Sequence, residues 1–177
     1  PVLLAGDFET FENTVAKFQH TTSALRYSAI PVVAAAQGLA LGGGCEFLMH
    51  CDRVVAALER YIGLVEVGVG LIPAGGGCKE FALRAMDEAK GGDLLPFLRP
   101  YFEAMAMAKV SRSAEEAKQL GHLKSSDVIV FNANELLHVA KAQVRALAET
   151  GYRPPQPRKI RVAGRTGVAA CQMALVN

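Results

Sequence analysis

Two glutamates are candidates for chemistry because each lies alone in an apolar, glycine-rich stretch. Glu46 follows the glycine triplet of the segment GLALGGGCEF, and Glu66 lies within YIGLVEVGVGLIPAGGG. A carboxyl group among apolar residues loses hydration, which raises its pKa towards neutrality. General acids and bases that work near neutral pH need such a pKa. The pattern therefore predicts two proton-transferring carboxyl groups in one pocket.

The triplet Gly42-Gly43-Gly44 predicts a second chemical feature, a site for a carbonyl oxygen. Glycine loses much backbone freedom on folding, so three in a row within an apolar segment need a reason. At the start of a helix, bare glycines let a ligand approach N–H groups that have no intrahelical partner and lie at the positive end of the dipole. We predict an oxyanion hole at Gly43, with Glu46 one turn away on a similar side of the helix.

Simpler explanations are available for each of these features. The triplet could allow a helix to pack closely against a strand, and Glu46 could stabilise only the first helical turn. Glu66 could be a solvated or salt-bridged carboxylate. Two nucleotide motifs fail on spacing, because neither glycine segment matches GxGxxG of dinucleotide sites or GxxxxGK[ST] of phosphate loops.

The elements that must position these residues form an α/β unit in the first half of the chain. Asp7 or Thr10 could cap a first helix. The apolar run 30–36 predicts a buried strand of a parallel sheet, and 52–57 predicts another. Between them, the glycines lead into a short helix over CEFLMHC, so this stretch reads as strand, turn, helix and strand.

From Cys78 onwards the pattern becomes mostly helical. Ser113 and Glu116 fit a capping box, and the run SDVIVF predicts one short strand. The amphipathic spacing predicts helices over about 78–89, 96–108, 113–120 and 134–149.

The composition is that of an ordinary globular protein. The 177 residues are 51% hydrophobic and 20% charged, with a formal net charge of +2. Because this net charge is small, we expect no nucleic-acid partner. The four cysteines have no CxxC pair and no metal-type spacing with histidines, so we expect buried thiols, no metal site and a cytoplasmic location. Proline, glutamine and glycines interrupt the apolar stretch 29–45, so we expect no membrane span.

A contiguous stretch from about Ile30 to Gly77 resembles the signature of the crotonase (enoyl-CoA hydratase/isomerase) superfamily. It reads IPVVAAAQGLALGGGCEFLMHCDRVVAA and then YIGLVEVGVGLIPAGGG. The resemblance implies an α/β fold with a crotonase-like core of repeated ββα units wound as a superhelix, and a mostly helical C-terminal half. On this basis, residues 1–90 are expected to form a partial core and 91–177 a helical region of the same domain.

The resemblance also implies roles for the candidate residues. In the hydratases of this family two glutamates act together, and by motif they fall on Glu46 and Glu66. Glu46 would activate the water that adds at C3 of a 2-enoyl-CoA, and Glu66 would supply the proton at C2. Gly43 would donate a backbone N–H to the thioester oxygen, with Gly42 and Gly44 beside it in the substrate-binding turn.

Alternative activities remain open within and outside the family. Isomerases and thioester hydrolases of the family often keep only one of the two glutamates, so the presence of both favours hydration. A non-catalytic assembly module is the third alternative. The sequence also departs from the family pattern: Val65 stands where a proline is usual, and Lys79 is the only counterpart of an arginine often found after the second glycine turn.

Further expectations concern the longer protein. The upstream strands and the loop that supplies the other oxyanion N–H have no counterpart here, so we expect part of a hydratase domain with little activity by itself. The second half resembles the version fused to a 3-hydroxyacyl-CoA dehydrogenase in bifunctional β-oxidation proteins. We expect acyl-CoA as the substrate, no cofactor in this chain, and NAD only in a fused dehydrogenase domain. Family analogy allows a homotrimer.

Overall fold

Helices surround two small sheets in the part of the chain that the computed structural model describes, residues 6–176. The helices are α1 (Phe8–Arg26), α2 (Gly43–His50), α3 (Gly77–Ala89), α4 (Leu95–Ala106), α5 (Ala114–Gln119), α6 (Leu136–Glu149) and α7 (Gly164–Val176). The strands are β1 (Val33–Ala36), β2 (Leu39–Leu41), β3 (Arg53–Ala57), β4 (Tyr61–Gly63) and β5 (Val128–Val130). Single 3-10 turns cover Glu66–Val69 and Ala133–Glu135.

Both sheets are parallel. Helix α2 lies in the connections between β1 and β3 and between β2 and β4, whereas α3, α4 and α5 lie between β3 and β5. The first sheet has the order β1-β3-β5, and the second consists of β2 and β4. Parallel neighbours need a long connection, usually a helix, and α2 lies between β2 and β3. Leu41 pairs with Gly63 at the ends of β2 and β4. The glycine triplet and Glu66 therefore leave the same edge of the second sheet.

The core lies on both faces of β3, whose side chains alternate in direction. Val54 and Ala56 join a cluster with residues of α2, α3 and α4. Val55 and Ala57 join a second cluster with residues of β5 and α6. The face towards α2 packs against the helix that carries Glu46, so the candidate site is attached to the larger of the two clusters.

Several sequence predictions for the elements are confirmed. Asp7 caps α1, since its Oδ1 accepts a hydrogen bond of 3.0 Å from the amide of Thr10. Ser113 caps α5 by accepting from the amide of Glu116, whose own carboxylate accepts from the amide of Arg112. The four predicted helices of the second half and the strand in SDVIVF are present, with ends shifted by a few residues. The crotonase-like α/β class is correct.

The prediction of a buried strand over 30–36 is wrong in two respects. The strand begins only at Val33, and of its four residues only Ala36 is buried, while Ala35 is exposed. The reason is its place at the edge of the three-stranded sheet. The short strands β2 and β4 and the helix α7 were not predicted.

The division of the chain at residues 90 and 91 stays a prediction. Helix α3 ends at Ala89, and Lys90 takes a left-handed conformation. Nevertheless α4 packs directly on α3, with the rings of Phe81 and Tyr101 stacked at 4.7 Å between centroids. No helix within residues 6–176 is both long and apolar enough to cross a membrane.

Candidate active site

Glu46 is a buried carboxyl group held by a backbone amide. It lies in the first turn of α2 with only 2% of its surface exposed. Its Oε1 accepts a hydrogen bond of 2.8 Å from the amide of Gly77. Burial raises the pKa of Glu46, the Gly77 amide opposes this rise, and the negative charge of Glu66 adds to it. The net effect is a carboxyl group that keeps its proton to a higher pH than in water.

Glu66 is the second carboxyl group, and its surroundings are poorer in donors. It begins the 3-10 turn that follows β4. Neither carboxylate oxygen has a hydrogen-bond partner within the described part of the chain, although both are shielded from solvent. Burial raises the pKa of Glu66, and backbone donors around Val65 and Glu66 offset this only in part.

The three glycines of the triplet have different positions. The amide of Gly42 donates to the carbonyl of Gly63 at 2.9 Å, so that N–H is occupied. Gly42 has a positive φ of 54° as the N-cap of α2, and a Cβ there would lie 3.2 Å from Oε1 of Glu66. Gly43 and Gly44 form the first turn of α2, where amides have no intrahelical partner. The predicted oxyanion role is therefore available to Gly43 and Gly44 rather than to the Gly42 amide.

A second glycine turn, Gly75-Gly76-Gly77, holds the Glu46 carboxylate from the other side. A Cβ on Gly75 would lie 2.5 Å from Oε2 of Glu46 and would overlap the ring of Phe18. Only glycine permits this approach. The sequence pattern excludes a phosphate loop at this turn, but it does not reveal that the turn supports the Glu46 carboxylate.

Helix α1 fixes the second glycine turn in place. The hydroxyl of Thr22 donates to the carbonyl of Gly75 at 2.7 Å, and the side-chain amide of Gln19 donates to the carbonyl of Ala74 at 2.7 Å. Thr22 is almost fully buried despite its polarity. The first helix therefore acts on the geometry of the candidate site as well as covering it.

Glu46, Glu66 and Gly43 line one cleft of about 890 Å³. The structure thus brings together the residues that the sequence predicted to share a cavity, while their chemical roles stay predictions. An apolar part of the lining comes from α1 and from the loop after the 3-10 turn. Its apolar side chains belong to Phe8, Phe11, Val15, Phe18, Leu71 and Ile72. The helical spacing of the first four in the sequence is consistent with one face of α1.

The thiols only partly match the prediction of burial. Cys45 and Cys51 are buried, and burial raises the pKa of Cys51 to about 11. Cys78 is exposed, which contradicts the prediction for that residue, because it lies at the surface in the first turn of α3. Across residues 6–176 no group of three or more His, Cys, Asp or Glu side chains is arranged to hold a metal ion.

The sequence is similar to known proteins over most of its length. The profile of the enoyl-CoA hydratase/isomerase family matches residues 5–152. A probable 3-hydroxyacyl-CoA dehydrogenase of Bacillus subtilis (strain 168) is 45% identical over 164 residues, which are 93% of the chain and 20% of that protein. A putative fatty acid oxidation complex trifunctional enzyme of Rickettsia felis is 45% identical over 80 residues, which are 45% of the chain and 11% of that protein.

The fold is similar to solved structures of enoyl-CoA hydratases. The structure from Bacillus anthracis has a TM-score of 0.63 and 27% identity, covering 81% of this chain and 49% of that chain. The structure from Polaromonas sp. JS666 has a TM-score of 0.61 and 25% identity, covering 79% of this chain and 48% of that chain. The chain therefore spans about half the length of these solved chains and about a fifth of the Bacillus subtilis relative.

Proposed function

The chain belongs to the enoyl-CoA hydratase/isomerase family, and from this premise we propose that it adds water to 2-enoyl-CoA thioesters in fatty-acid β-oxidation. The observation that carries the proposal is the shared cleft of Glu46, Glu66 and the N-terminus of α2. Two carboxyl groups and amides of a first helical turn, which have no intrahelical partner, are the groups that hydration of an activated double bond requires.

The proposed reaction moves one proton at each glutamate. The Glu46 carboxylate takes a proton from water as the water oxygen bonds to C3 of the enoyl group. The electron pair of the double bond shifts towards the thioester, and the negative charge on its oxygen is stabilised by the amide of Gly43. Protonated Glu66 then gives its proton to C2. Glu46 returns its proton to Glu66 through solvent, so the enzyme is unchanged after a turnover.

The environments of the two carboxyl groups support this division of roles. Glu46 accepts a hydrogen bond from the Gly77 amide, which favours its charged form. Within residues 6–176 no hydrogen bond of good geometry reaches either oxygen of Glu66, and the backbone amides of Val65 and Glu66 offset only in part the effect of burial, which favours the neutral form. A pair of carboxyl groups whose surroundings differ in this way can provide one base and one acid at the same pH.

The apolar wall of the cleft supports an acyl chain as the group that is bound. Phe11, Val15 and Phe18 of α1 line the same cleft as the two glutamates. A hydrocarbon chain buried there gains about 0.8 kcal/mol for each CH₂ group. The wall would hold the chain while the thioester lies at the start of α2.

We further propose that the hydratase unit acts within a longer cytoplasmic β-oxidation protein that also carries 3-hydroxyacyl-CoA dehydrogenase activity. The names of the Bacillus subtilis and Rickettsia felis relatives support this. In such a protein the 3-hydroxyacyl-CoA product would be the substrate of the second activity, and NAD would bind in the fused domain.

A purely structural role is less well supported. An assembly module would leave at least one of the two glutamates in a salt bridge away from any pocket. Within residues 6–176 neither Glu46 nor Glu66 forms an ion pair, and both line the cleft.

The test is an assay of the full-length protein with three thioesters. A 2-enoyl-CoA should lose its conjugated absorbance and give a 3-hydroxyacyl-CoA. A 3-enoyl-CoA should react slowly, and a saturated acyl-CoA should release no free thiol. Rapid conversion of the 3-enoyl-CoA without hydration would identify an isomerase, and rapid thiol release would identify a hydrolase; either result contradicts the proposal.

A further inference from the structure

His50 is a fully buried histidine that binds the backbone of Glu46. Its Nδ1 lies 2.7 Å from the carbonyl oxygen of Glu46, one helical turn earlier in α2. A carbonyl oxygen can only accept, so Nδ1 carries the proton. Burial lowers the pKa of His50, while the nearby Glu80 carboxylate opposes this shift; the contact with the carbonyl requires a proton on Nδ1 in either form of the ring.

The other ring nitrogen of His50 faces α3. Nε2 lies 3.6 Å from Oε1 of Glu80, a carboxylate with 1% of its surface exposed. The charge of Glu80 is balanced by Lys79 at 3.4 Å and Arg26 at 3.5 Å. His50 is the last residue of α2. It therefore binds the backbone of its own helix and lies near the Glu80 carboxylate of α3.

The second glycine turn packs against the same imidazole ring. A Cβ on Gly76 would lie 2.5 Å from Cε1 of His50, so the turn reaches the ring only because it has no side chain there. The next residue, Gly77, holds Oε1 of Glu46, and the amide of Glu80 donates to the carbonyl of Gly76 at 2.9 Å. The ring thus touches both the backbone of Glu46 and the turn that holds the Glu46 carboxylate.

We propose that His50 is a positioning residue for Glu46, because its Nδ1–H fixes the carbonyl of Glu46 and with it the backbone from which the Glu46 carboxylate reaches the Gly77 amide. This inference rests on the proposed hydration for its kinetic consequence, but its structural consequence is independent of the reaction. A carboxylate displaced by about 1 Å from its water costs about 10²-fold in rate.

Three variants of the full-length protein separate the contacts of the two ring nitrogens. His50→Asn keeps a donor near the position of Nδ1, His50→Gln places its amide near the position of Nε2, and His50→Met keeps bulk without either. The matched control is His122→Met, because His122 is equally buried, packs on the ring of Phe81 and does not line the cleft.

In the kinetic experiment, initial rates are measured over a range of 2-enoyl-CoA concentrations. We expect His50→Met and His50→Gln to lower kcat by about 10–100-fold, with KM within about threefold of the wild type. His50→Asn should stay within about fivefold of the wild-type kcat, because it retains the donor to the Glu46 carbonyl. The His122→Met control should keep kcat within about twofold, although its thermal stability should fall in a similar way.

A second measurement does not depend on the reaction. Hydrogen exchange of the backbone around Gly77 reports the bond from its amide to Glu46. We expect exchange there to be about tenfold faster in His50→Met than in wild type, and unchanged in His50→Asn and His122→Met. If the wild type does not hydrate enoyl-CoA, the proposed function fails, and this measurement alone decides the inference.

The inference is overturned by equal kcat values for His50→Asn and His50→Gln, or by a loss in His122→Met as large as that in His50→Met. Unchanged exchange at Gly77 in folded His50→Met also overturns it. Should His50→Met not fold, the comparison of the Asn and Gln variants decides. A His50→Asn protein that does not fold counts against the inference, since the retained donor should suffice.

Discussion

At the scale of single residues, the important difference lies between the donors that reach the two glutamates. Glu46 has the amide of Gly77, whereas both oxygens of Glu66 lie in the cleft wall without a partner in the described residues. An amide side chain in place of either carboxyl group keeps the size but cannot exchange a proton. The roles proposed for Glu46 and Glu66 can therefore be tested without disturbing the packing.

We expect Glu66→Gln and Glu46→Gln, each in the full-length protein, to lower kcat for hydration by about 10²–10⁴-fold. Binding of acyl-CoA should change little, because the amide of Gly43 and the apolar wall are unaltered. The double variant should be only slightly worse than either single one, since the two groups act as a unit. Steady-state kinetics with a 2-enoyl-CoA measure all three effects.

The matched control for this series is Glu12→Gln. Glu12 lines the same cleft from α1, but it is exposed. Its replacement removes the same charge from the cleft and should leave kcat within about threefold of the wild type. A loss of kcat in this control as large as in Glu46→Gln would show that the charge of the cleft, and not the two assigned glutamates, determines the rate.

The raised pKa of Glu46 predicts a pH-dependent effect on stability. Burial raises this pKa above its ordinary value of 4.5, so the folded protein binds the proton more tightly than the unfolded chain. Stability from this group is complete below the unfolded pKa and is lost as the pH rises through the folded pKa. A glutamine side chain does not titrate, so Glu46→Gln does not lose stability through this group as the pH rises. The melting temperature of Glu46→Gln relative to wild type should therefore increase between about pH 4 and pH 7; a constant or shrinking difference would contradict the burial argument.

At the scale of elements, the two glycine turns differ in how much space surrounds them. Gly75 lies against both Phe18 and the Glu46 carboxylate, whereas a Cβ on Gly44 would meet no atom within 4 Å. Helix α2 thus tolerates a side chain at one glycine of the first turn, and the turn before α3 does not.

We expect Gly75→Ala to lower the free energy of unfolding by about 1–3 kcal/mol, because the added methyl group must displace Phe18 or Glu46. It should also lower kcat, since Glu46 moves. Gly44→Ala is the control, and it should be neutral or raise stability by up to about 1 kcal/mol through its helix propensity. Urea unfolding measures both variants, and equal effects at the two positions would show that the crowding around Gly75 relaxes without cost.

The sequence predicted these elements where a local signal was strong. Asp7, one of two candidate caps, marks the start of α1, and the glycines before CEFLMHC mark the start of α2 to within two residues. The strands β2 and β4 have three residues each, too few for any periodicity to appear. The exposure of β1 depends on which strands lie beside it, and a local pattern does not contain that information.

The candidate site was predictable for a similar reason. Glu46 and Glu66 are isolated charges in apolar sequence, which is a local signal, and both line the cleft. The bond of Gly77 to Glu46 spans 31 residues, and the bond of Thr22 to Gly75 spans 53. The contribution of His50 depends on the direction of its ring within α2. Only the folded chain reveals those contacts.

At the scale of the whole molecule, one tyrosine connects the segment after α6 to the sheet. The hydroxyl of Tyr152 lies 3.0 and 3.1 Å from the carboxylate oxygens of Asp52, and Asp52 also accepts from the amide of Val32 at 2.7 Å. Further along, Arg158 pairs with both oxygens of Asp87 at 2.8 Å on the exposed surface. The segment after α6 is therefore bound to Asp52 at a part-buried point and to Asp87 of α3 at an exposed point.

We expect Tyr152→Phe to lower the free energy of unfolding by about 0.5–1.5 kcal/mol, because Asp52 loses a part-buried donor. Arg158→Ala should cost less, about 0–1 kcal/mol, since an exposed ion pair is screened by solvent. Urea unfolding at low and high salt provides the measurement. Only the Arg158 effect should shrink with salt, and the reverse order of the two losses would contradict this account.

The homo-oligomer expected from the family stays a prediction.

The two-faced burial of β3 has a consequence for the order in which a nascent chain folds. The cluster of Val54 and Ala56 includes residues of α2, made before β3, and of α3, made soon afterwards. Val55 and Ala57 instead wait for Val130, Leu136 and Ala140. At about 5–20 residues per second, the intervening stretch of roughly 80 residues takes on the order of 4–16 s to synthesise. During that interval one side of the strand is an apolar surface open to chaperones, while the part that carries Glu46 already has most of its neighbours.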